Sequence, residues 1–390
     1  MTTHDVIVLG LGATGSAALQ QLARRGVRML GIDRFAPPHD HGSSHGETRI
    51  TRLAIGEGEH YTPLAKRSHE IWRAMEGETG VRLLEQTGGL IISSGSGTAH
   101  THVEGFFDNT LEAARKHGIA HEMLDAAEIR RRFPAFGVQD DEKGYYEPEA
   151  GYLCPEACVQ ANLDLARKYG ATIRTNERAL RFDHSAQDVT VTTEKGAYTA
   201  AKLVLAAGAW LPELLDPTHT TPFKVYRQTL MWFEPRGDVA QFEQPNFPIF
   251  IWELSGFSQG LYGFPAIGGA RGGMKVASED YSATTTPDAA PRELTQQEIA
   301  ATHATLIAPH FPDLSDICVR HTTCLYTVTP DAGFVIDTHP DSDRVIVASP
   351  CSGHGFKHSA ALGEVIADLA LNGRTGFDIS PFRLSRFSHA

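Results

Sequence analysis

The first 33 residues constrain the fold more than any other part of the chain. A short apolar run at 5–10 predicts a buried strand, residues 16–25 place apolar side chains on one helical face, and 27–33 predict a second strand. A strand, a helix and a strand within so short a segment predict a βαβ unit with parallel strands. We therefore expect an α/β fold around a largely parallel sheet.

Three glycines, Gly10, Gly12 and Gly15, stand between the first strand and the helix. In a dinucleotide-binding turn they allow the tight bend, the approach of the pyrophosphate to the backbone, and the close packing of helix on strand. The helix N-terminus then presents unpaired N–H groups to the phosphates. Asp33 ends the second strand, where its carboxylate can accept hydrogen bonds from the adenosine ribose. The pattern predicts a dinucleotide site but does not separate NAD from FAD.

Later segments predict that this nucleotide-binding domain is discontinuous. A helix at 156–169, a buried strand from Leu203, and a strand at 345–348 followed by a glycine loop and a helix repeat the α/β pattern. Residues 222–330 instead contain mostly strand-like stretches. The predicted boundaries are 1–81 with 156–221 and 331–390 for the nucleotide domain, and 82–155 with 222–330 for a mixed-sheet substrate domain, which makes the whole chain α+β.

The bulk composition excludes several classes of protein. A net charge of −12 disfavours nucleic acid as a partner. The sequence has no uninterrupted apolar run long enough for a membrane span, and we expect neither a span nor an N-terminal targeting segment. Five irregularly spaced cysteines argue against a disulfide framework and for a cytoplasmic location. The histidines show no metal-ligand spacing, so we expect no metal site.

Several longer motifs identify a family. They are Pro37-Pro38-His39, Gly42 to Arg52, Gly56-Glu57-Gly58, Ala207 to Trp210, Tyr262 to Pro265, Cys324-Leu325-Tyr326, Ser352 to Lys357 and Pro381 to Phe387. With these motifs the sequence resembles the monomeric sarcosine oxidase family of flavoproteins over essentially the whole chain, and it looks closest to the N-methyl-L-tryptophan oxidase branch.

The resemblance implies a fold and a reaction. The fold would be a glutathione-reductase-like FAD domain with a mixed-sheet substrate domain, in a monomeric protein. The reaction would oxidise the C–N bond of a secondary amino acid, with O2 as the electron acceptor and H2O2 as a product. In members that remove an N-methyl group, the imine hydrolyses to formaldehyde and the primary amino acid.

The resemblance also implies which residues contact FAD. Cys324 matches the cysteine that binds the flavin covalently, through a thioether to its 8α-methyl carbon. That bond requires a thiolate, and therefore a nearby cation and partial exposure. The other implied cofactor contacts are Ser44, Thr48, Arg49, Trp210, Gly353, Gly355 and Lys357, beside the three glycines and Asp33.

Further matches concern the substrate and oxygen. Arg52 and Lys357 match the pair that binds the substrate carboxylate, and the planar guanidinium suits its two oxygens. Tyr262 and Tyr326 would complete the pocket as hydroxyl donors. Lys275 matches the lysine of oxygen activation, where a fixed ammonium would stabilise the charge of forming superoxide. The catalytic set implied by the resemblance is Lys275, Arg49, Tyr326 and His354.

Two residues depart from the family pattern. Glu279, a candidate substrate ligand, stands where related enzymes carry a histidine in the active-site wall, and Cys351 stands where we expect a bulkier apolar residue. A carboxylate at that position would raise the pKa of a nearby amine. Ile251, Trp252 and Phe257 predict an apolar pocket wall with room for a side chain larger than that of sarcosine.

The sequence leaves the substrate and the electron acceptor open. An oxidase of cyclic or glycated amines, such as pipecolate or fructosyl amino acids, is one alternative. A dehydrogenase that passes electrons to a quinone or a carrier protein is another. A nucleotide-binding regulatory protein without turnover is the alternative from outside the enzymes.

Overall fold

The computed structural model describes residues 4–94, 103–220, 222–257 and 260–387 of the 390-residue chain. Its strands, in chain order, are β1 (His4–Leu9), β2 (Met29–Ile32), β3 (Arg49–Thr51), β4 (Leu84–Gln86), β5 (Gly89–Ser94), β6 (Glu122–Asp125), β7 (Glu142–Glu147), β8 (Gly151–Leu153), β9 (Thr172–Arg174), β10 (Ala179–His184), β11 (Val189–Thr193), β12 (Ala197–Leu205), β13 (Lys224–Pro235), β14 (Ile249–Glu253), β15 (Leu261–Phe264), β16 (Met274–Ser278), β17 (Thr284–Thr285), β18 (Leu314–Val328), β19 (Val335–His339) and β20 (Ser342–Ser349).

The α-helices connect and cover these strands. They are α1 (Ala13–Arg24), α2 (Thr62–Thr79), α3 (Phe106–His117), α4 (Ala126–Arg132), α5 (Pro155–Lys168), α6 (Leu211–Leu214), α7 (Pro217–Thr220), α8 (Gln296–Thr302) and α9 (Ser359–Asn372). Within the described ranges, none of these helices combines the length and the apolar character that crossing a membrane requires.

The first sheet has the strand order β10-β11-β12-β1-β2-β9, and β20 and then β19 extend it beside β12. Its central strands are parallel, since β1 pairs in that sense with β2 and β12, and β12 with β20. Helix α1 packs against α5 and α9 over one face. Helices over a buried parallel sheet form the Rossmann arrangement, so the predicted βαβ unit and α/β class are confirmed.

The second sheet is mixed and has the order β17-β13-β16-β15-β14-β5-β7-β6, with β18 beside β13. Only β14 and β5 pair in parallel among its described strands. One face packs against an aromatic core that includes Phe136, Phe247, Phe250 and Phe311. The opposite face carries Tyr262 and Lys275, which the sequence predicts to be functional, because side chains alternate between the two faces of a strand.

The strands of the two large sheets fall into separate parts of the sequence. Every strand of the first sheet lies within 1–81, 156–221 or 331–390, and every strand of the second lies within 82–155 or 222–330. A third sheet has the order β3-β8-β4. In it, β3 from segment 1–81 pairs with β8 from segment 82–155. We therefore propose that the domains divide at the predicted boundaries and that the small sheet connects them.

Candidate cofactor and substrate site

Two adjoining cavities contain most of the predicted functional residues. They share Arg49, Tyr326, Gly353 and Phe356 in their walls. The larger cavity begins at the carboxyl ends of β1 and β2, which is where ligands bind in open α/β sheets. Of the predicted cofactor residues, Gly10, Gly12, Asp33, Ser44, Arg49, Trp210, Gly353 and Gly355 line the larger cavity.

The backbone between β1 and the N-terminus of α1 leaves room for a phosphate group. A side chain at Gly15 would overlap the carbonyl oxygen of Gly10, so only glycine lets α1 start this close to β1. The Oγ of Ser44 accepts a hydrogen bond from Ala13 N, at the first residue of α1, over 3.0 Å. The loop at 44 and the helix N-terminus are thereby held together, as a diphosphate site requires.

Asp33 is fixed in place by the backbone. Its Oδ2 accepts a hydrogen bond from Leu11 N at 2.7 Å and its Oδ1 accepts one from Phe35 N at 2.8 Å. His39 Nε2 also lies 3.6 Å from Oδ1, whereas Oδ2 keeps a second lone pair for a ligand, and the carboxylate lies in the wall of the larger cavity. The glycine turn, the helix end and this acid together fit the adenosine diphosphate part of FAD.

Cys324 does not lie in the wall of either cavity. The residue has no exposed surface and packs with Leu230, Trp232 and Tyr326. Burial raises the pKa of its thiol, while the charges of Arg49 and Lys275 act to lower it. Two cations are therefore close, as a thiolate requires, but the predicted partial exposure is wrong, and covalent attachment stays a prediction.

Lys275 is also buried, and it lines neither cavity. Its Nζ donates hydrogen bonds to Gly46 O at 2.7 Å, Thr48 O at 2.8 Å and Thr48 Oγ1 at 3.2 Å, and it lies 4.5 Å from the Phe264 ring centroid. Burial and the Arg49 charge lower the pKa of Lys275 well below its usual value. The three acceptors oppose that shift, because they match the three N–H bonds of an ammonium. Thr48 thus accepts hydrogen bonds from Lys275 and does not line the larger cavity.

The smaller cavity brings together most of the predicted substrate residues. Tyr262 and Tyr326 face each other, with 3.1 Å between their hydroxyl oxygens. Burial raises the pKa of both phenols, so both keep their protons near neutral pH. The predicted residues that line this cavity are Arg49, Tyr262, Glu279, Tyr326, Gly353, His354 and Lys357.

Glu57 is a site residue to which sequence reasoning gave no role. Its Oε1 accepts a hydrogen bond from Lys357 Nζ at 3.2 Å, and its Oε2 lies 2.6 Å from Arg52 Nη2. Two cations therefore share one buried carboxylate, and Glu57 lines the smaller cavity. The sequence signal for this residue is an acid between two glycines, five residues after Arg52, in the motif Gly56-Glu57-Gly58.

Arg52, predicted to bind the substrate carboxylate, is not in the wall of the smaller cavity. Its guanidinium is buried, bonded to Glu57 and to the carbonyl of Ala54, and lies 4.8 Å from the ring centroid of Phe106. Lys357 does reach the cavity. Burial lowers the pKa of Lys357 to about 8, although Glu57 opposes the shift. Arg49 and Lys357 are thus the cations that the cavity surface presents within the described ranges.

His354 lines the smaller cavity and packs against the apolar core beside the first sheet. Its ring stacks on Phe334 at 4.6 Å between centroids, and its Nε2 is 3.0 Å from Ala332 O. These contacts fix the orientation of the glycine loop at 353–355, which is shared by both cavities.

The predicted apolar wall is only partly correct. Ile251 lines the smaller cavity, but Trp252 points the other way, and its Nε1 donates a hydrogen bond to Glu142 at 2.6 Å. Adjacent residues of a strand face opposite sides of a sheet, so both could not line one pocket. Phe257 is 38% exposed and is also absent from the wall of the smaller cavity.

One histidine cluster lies outside these cavities. Ligand atoms of His219, His339 and Asp341 lie within 4.8 Å of one another. The carboxylate of Asp341 is 3.1 Å from His219 Nε2, and its backbone N–H donates to His339 Nδ1. Hydrogen bonding accounts for this arrangement without an ion.

The chain matches known oxidoreductases over its whole length. A family model described as FAD dependent oxidoreductase matches residues 5–369. The chain is 41% identical to the monomeric sarcosine oxidase of Streptomyces avermitilis, over 100% of this chain and 99% of the relative. It is 34% identical to the N-methyl-L-tryptophan oxidase of Yersinia pestis, over 98% and 99% of the two chains. The predicted family is confirmed, but overall identity to the sarcosine oxidase exceeds that to the branch that the motifs favoured.

Solved structures agree with the fold. NikD, an unusual amino acid oxidase essential for nikkomycin biosynthesis, superposes with a TM-score of 0.81 at 26% identity, over 98% of each chain. An L-proline dehydrogenase from P. horikoshii reaches the same TM-score at 20% identity, over 100% of this chain and 98% of its own, and supports the fold alone.

Proposed function

Because this chain belongs to the family of FAD dependent oxidoreductases and acts on CH–NH donors, we propose that it oxidises the C–N bond of an N-methylated amino acid with O2. The observation that carries the proposal is the smaller cavity, which adjoins the FAD cleft and combines two cations with a pair of tyrosine hydroxyls. The imine product would hydrolyse to formaldehyde and a primary amino acid, and O2 would become H2O2.

FAD, when bound, supplies the two-electron acceptor for this oxidation. Asp33 and the N-terminus of α1 would hold its adenosine diphosphate part, and Cys324 would hold the flavin through a thioether. The charges of Arg49 and Lys275 support that bond because they favour the thiolate form of the cysteine.

Lys357 and Arg49 would bind the carboxylate of the substrate. Both present cationic side chains to the cavity. An anion that enters loses its hydration, and the attraction of the two cations offsets that loss. Arg52 would act indirectly, because it holds Glu57 and so shares the carboxylate that positions Lys357.

The two tyrosines would orient the amine. Their hydroxyls remain protonated near neutral pH and lie on the same face of the second sheet as Ile251. Phe106 and Ile251 provide apolar surface that excludes water from the reacting bond. Lys275, behind Phe264, would stabilise the negative charge that forms when O2 is reduced.

The proposed substrate is an N-methyl amino acid of sarcosine or N-methyl-L-tryptophan type. The higher identity to sarcosine oxidase favours a small side chain, whereas Phe106 and Ile251 offer apolar contacts to a larger one. We propose that the protein works as a monomer.

A peroxide-coupled assay tests the proposal. We expect H2O2 from sarcosine, N-methyl-L-tryptophan or another N-methyl amino acid, with formaldehyde in equal amount. Pipecolate and fructosyl amino acids form the comparison set for a cyclic or glycated substrate. Turnover of those amines alone, or no peroxide from any secondary amine in air, would contradict the proposal.

A further inference from the structure

The loop at 46–48 carries the three hydrogen-bond acceptors of the buried Lys275 ammonium, which are Gly46 O, Thr48 O and Thr48 Oγ1. The position of the ammonium therefore depends on the conformation of this loop. That conformation is unfavourable by itself, because Gly46 has a φ of +97° and Glu47 a φ of +71°. A non-glycine residue keeps such a conformation only where neighbouring groups hold it.

Glu156, the second residue of α5, holds this loop by its backbone. Its Oε1 accepts hydrogen bonds from Gly46 N at 2.6 Å and from Glu47 N at 3.1 Å. A carboxylate in the first turn of a helix interacts favourably with the helix dipole, and its hydrogen bonds to backbone N–H groups are stronger than those between neutral groups. One oxygen atom thus fixes the loop to α5.

A single peptide group connects Glu156 with Lys275. The N–H of the peptide between Gly46 and Glu47 donates to Glu156 Oε1, and the carbonyl of the same peptide accepts from Lys275 Nζ at 2.7 Å. A carboxylate at the N–H end and an ammonium at the carbonyl end polarise the peptide in the same direction, so each strengthens the bond of the other. Burial and the Arg49 charge lower the pKa of Lys275, and the charge of Glu156 opposes them.

Glu47 restrains the loop in a different way. Its side chain accepts hydrogen bonds from Trp232 Nε1 at 2.9 Å and from the Arg320 guanidinium, and the Trp232 ring centroid lies 5.3 Å from Lys275 Nζ. These contacts fix the side chain of Glu47 to the second sheet. They do not hold the N–H groups of the loop, which are bonded to Glu156.

We propose that Glu156 is a positioning residue for oxygen reduction, which holds the Lys275 ammonium in place through the peptide between Gly46 and Glu47. The inference rests on the proposed function, because the role of Lys275 in oxygen reduction is part of it. It adds a side chain from α5 to a site whose ammonium comes from the second sheet.

Two conservative variants separate the reach of the side chain from its charge. Glu156→Gln keeps the length and one acceptor oxygen but removes the charge. Glu156→Asp keeps the charge but is one methylene shorter, so it cannot accept from both N–H groups unless the loop or α5 moves. The FAD-loaded proteins are reduced by light, which needs no amine substrate, and are then mixed with O2 while flavin absorbance is followed.

We expect Glu156→Asp to slow reoxidation by about tenfold or more, and Glu156→Gln to stay within about threefold of the wild-type rate, because only the shorter side chain releases the loop. Anaerobic reduction by substrate should change far less in both. In the Lys275→Met background, Glu156→Asp should cause no further slowing. Asp164→Asn is the matched control, since Asp164 is an exposed acid of the same helix that pairs with Arg167, and its loss should leave reoxidation unchanged.

Thermal unfolding gives a second readout that does not depend on turnover. Glu156→Asp should lower the melting temperature of the FAD-loaded protein, and it should lower it less in the Lys275→Met background, because the two bonds act on one peptide group. Equal losses in the two backgrounds would contradict the connection between Glu156 and Lys275.

Two results of the oxygen experiment would also overturn the inference. Wild-type reoxidation in Glu156→Asp would show that the loop does not need this bond, and slower reoxidation in Glu156→Gln than in Glu156→Asp would show that the charge acts directly. Failure of the proposed function is a separate outcome: no N-methyl amino acid would reduce the flavin, while the light-reduced protein would still report on Glu156.

Discussion

At the residue scale, the structure shows which partner each functional side chain has. The family resemblance implied that Arg52 and Lys357 both bind the substrate carboxylate, but only Lys357 lines the smaller cavity. The difference comes from Glu57, whose carboxylate lies between them. A contact of this kind depends on how a loop folds back on itself, so the residue types alone could not reveal it.

Lys357 should make ligand binding depend on pH. Burial lowers its pKa to about 8, so its charge is complete well below pH 8 and is lost as pH rises through that value. The affinity for the non-reactive carboxylate 3,3-dimethylbutanoate should be constant at pH 6–7 and should fall by up to about tenfold per pH unit above 8. Titrations of flavin absorbance between pH 6 and 9.5 measure this.

Lys357→Arg serves as its control. The guanidinium stays charged over this range, so the variant should lose the dependence on pH, whatever its affinity. A flat profile in the wild-type protein up to pH 9.5 would mean that Lys357 does not titrate there or does not bind the carboxylate.

His358 should be replaceable by phenylalanine with a gain in stability. The residue is fully buried, and neither ring nitrogen has a hydrogen-bond partner among the described residues. Its neighbours include Tyr61 and Phe334, with ring centroids at 5.5 Å. Removing an unpaired buried polar group should stabilise the fold by about 1 kcal/mol and raise the melting temperature by about 1–3 °C.

The same substitution at His69 gives the opposite expectation. His69 Nε2 lies 2.7 Å from Thr51 Oγ1, so His69→Phe removes a hydrogen bond and should lower the melting temperature. Equal effects of the two substitutions in a thermal unfolding experiment would contradict the assignment of His358 as unpartnered.

At the element scale, the alternation of side chains along strands decides which residues meet. In the second sheet, Lys275 pairs with Trp232 and with Phe264 across neighbouring strands, so all three lie on the face towards the cavities. The same rule puts Ile251 into the cavity wall and Trp252 into the core. The sequence predicted a strand-rich segment at 222–330, but the face of each strand followed only from the register of the sheet.

Lys275→Met should separate the two halves of the reaction. If the ammonium stabilises charge on O2, reoxidation of the reduced protein by air should slow by about a hundredfold or more, whereas anaerobic reduction by substrate should change far less. Stopped-flow absorbance measures both steps. Unchanged reoxidation would show that Lys275 has no role in oxygen reduction.

Gly15→Ala should prevent FAD binding, because the added methyl group overlaps the carbonyl oxygen of Gly10 and forces α1 away from β1. The purified variant should be colourless or nearly so. Gly77→Ala is the matched control: Gly77 also lies in a helix, and a methyl group there meets nothing within 4 Å. A yellow Gly15→Ala protein with full FAD content would contradict the role given to the glycine turn.

At the scale of the whole molecule, local patterns predicted the fold well. Helices and strands around the glycine turn, the helix at 156–169 and the strand at 345–348 occur within a few residues of the expected positions. Apolar periodicity and glycines act over short distances, which is why they suffice for such elements. The connection of β3 to β8, and the meeting of Glu279 with Gly353, join residues far apart in sequence and required the structure.

The covalent link to Cys324 concerns how the whole protein holds its cofactor. We expect acid precipitation to leave the yellow colour in the pellet, and Cys324→Ala to release it to the supernatant. Cys158→Ala is the control, because Cys158 is equally buried but lies in α5 and belongs to a different apolar cluster, with Leu84 and Leu153. Colour that leaves the wild-type protein in acid would contradict the attachment.

The central claim is that an N-methyl amino acid in the smaller cavity reduces the bound FAD. Its most direct test is anaerobic mixing of the yellow protein with sarcosine and, separately, with N-methyl-L-tryptophan, followed by flavin absorbance. The account predicts that at least one of them bleaches the flavin and that admitting air restores the colour with release of H2O2. A flavin that stays oxidised with every secondary amino acid supplied would contradict it.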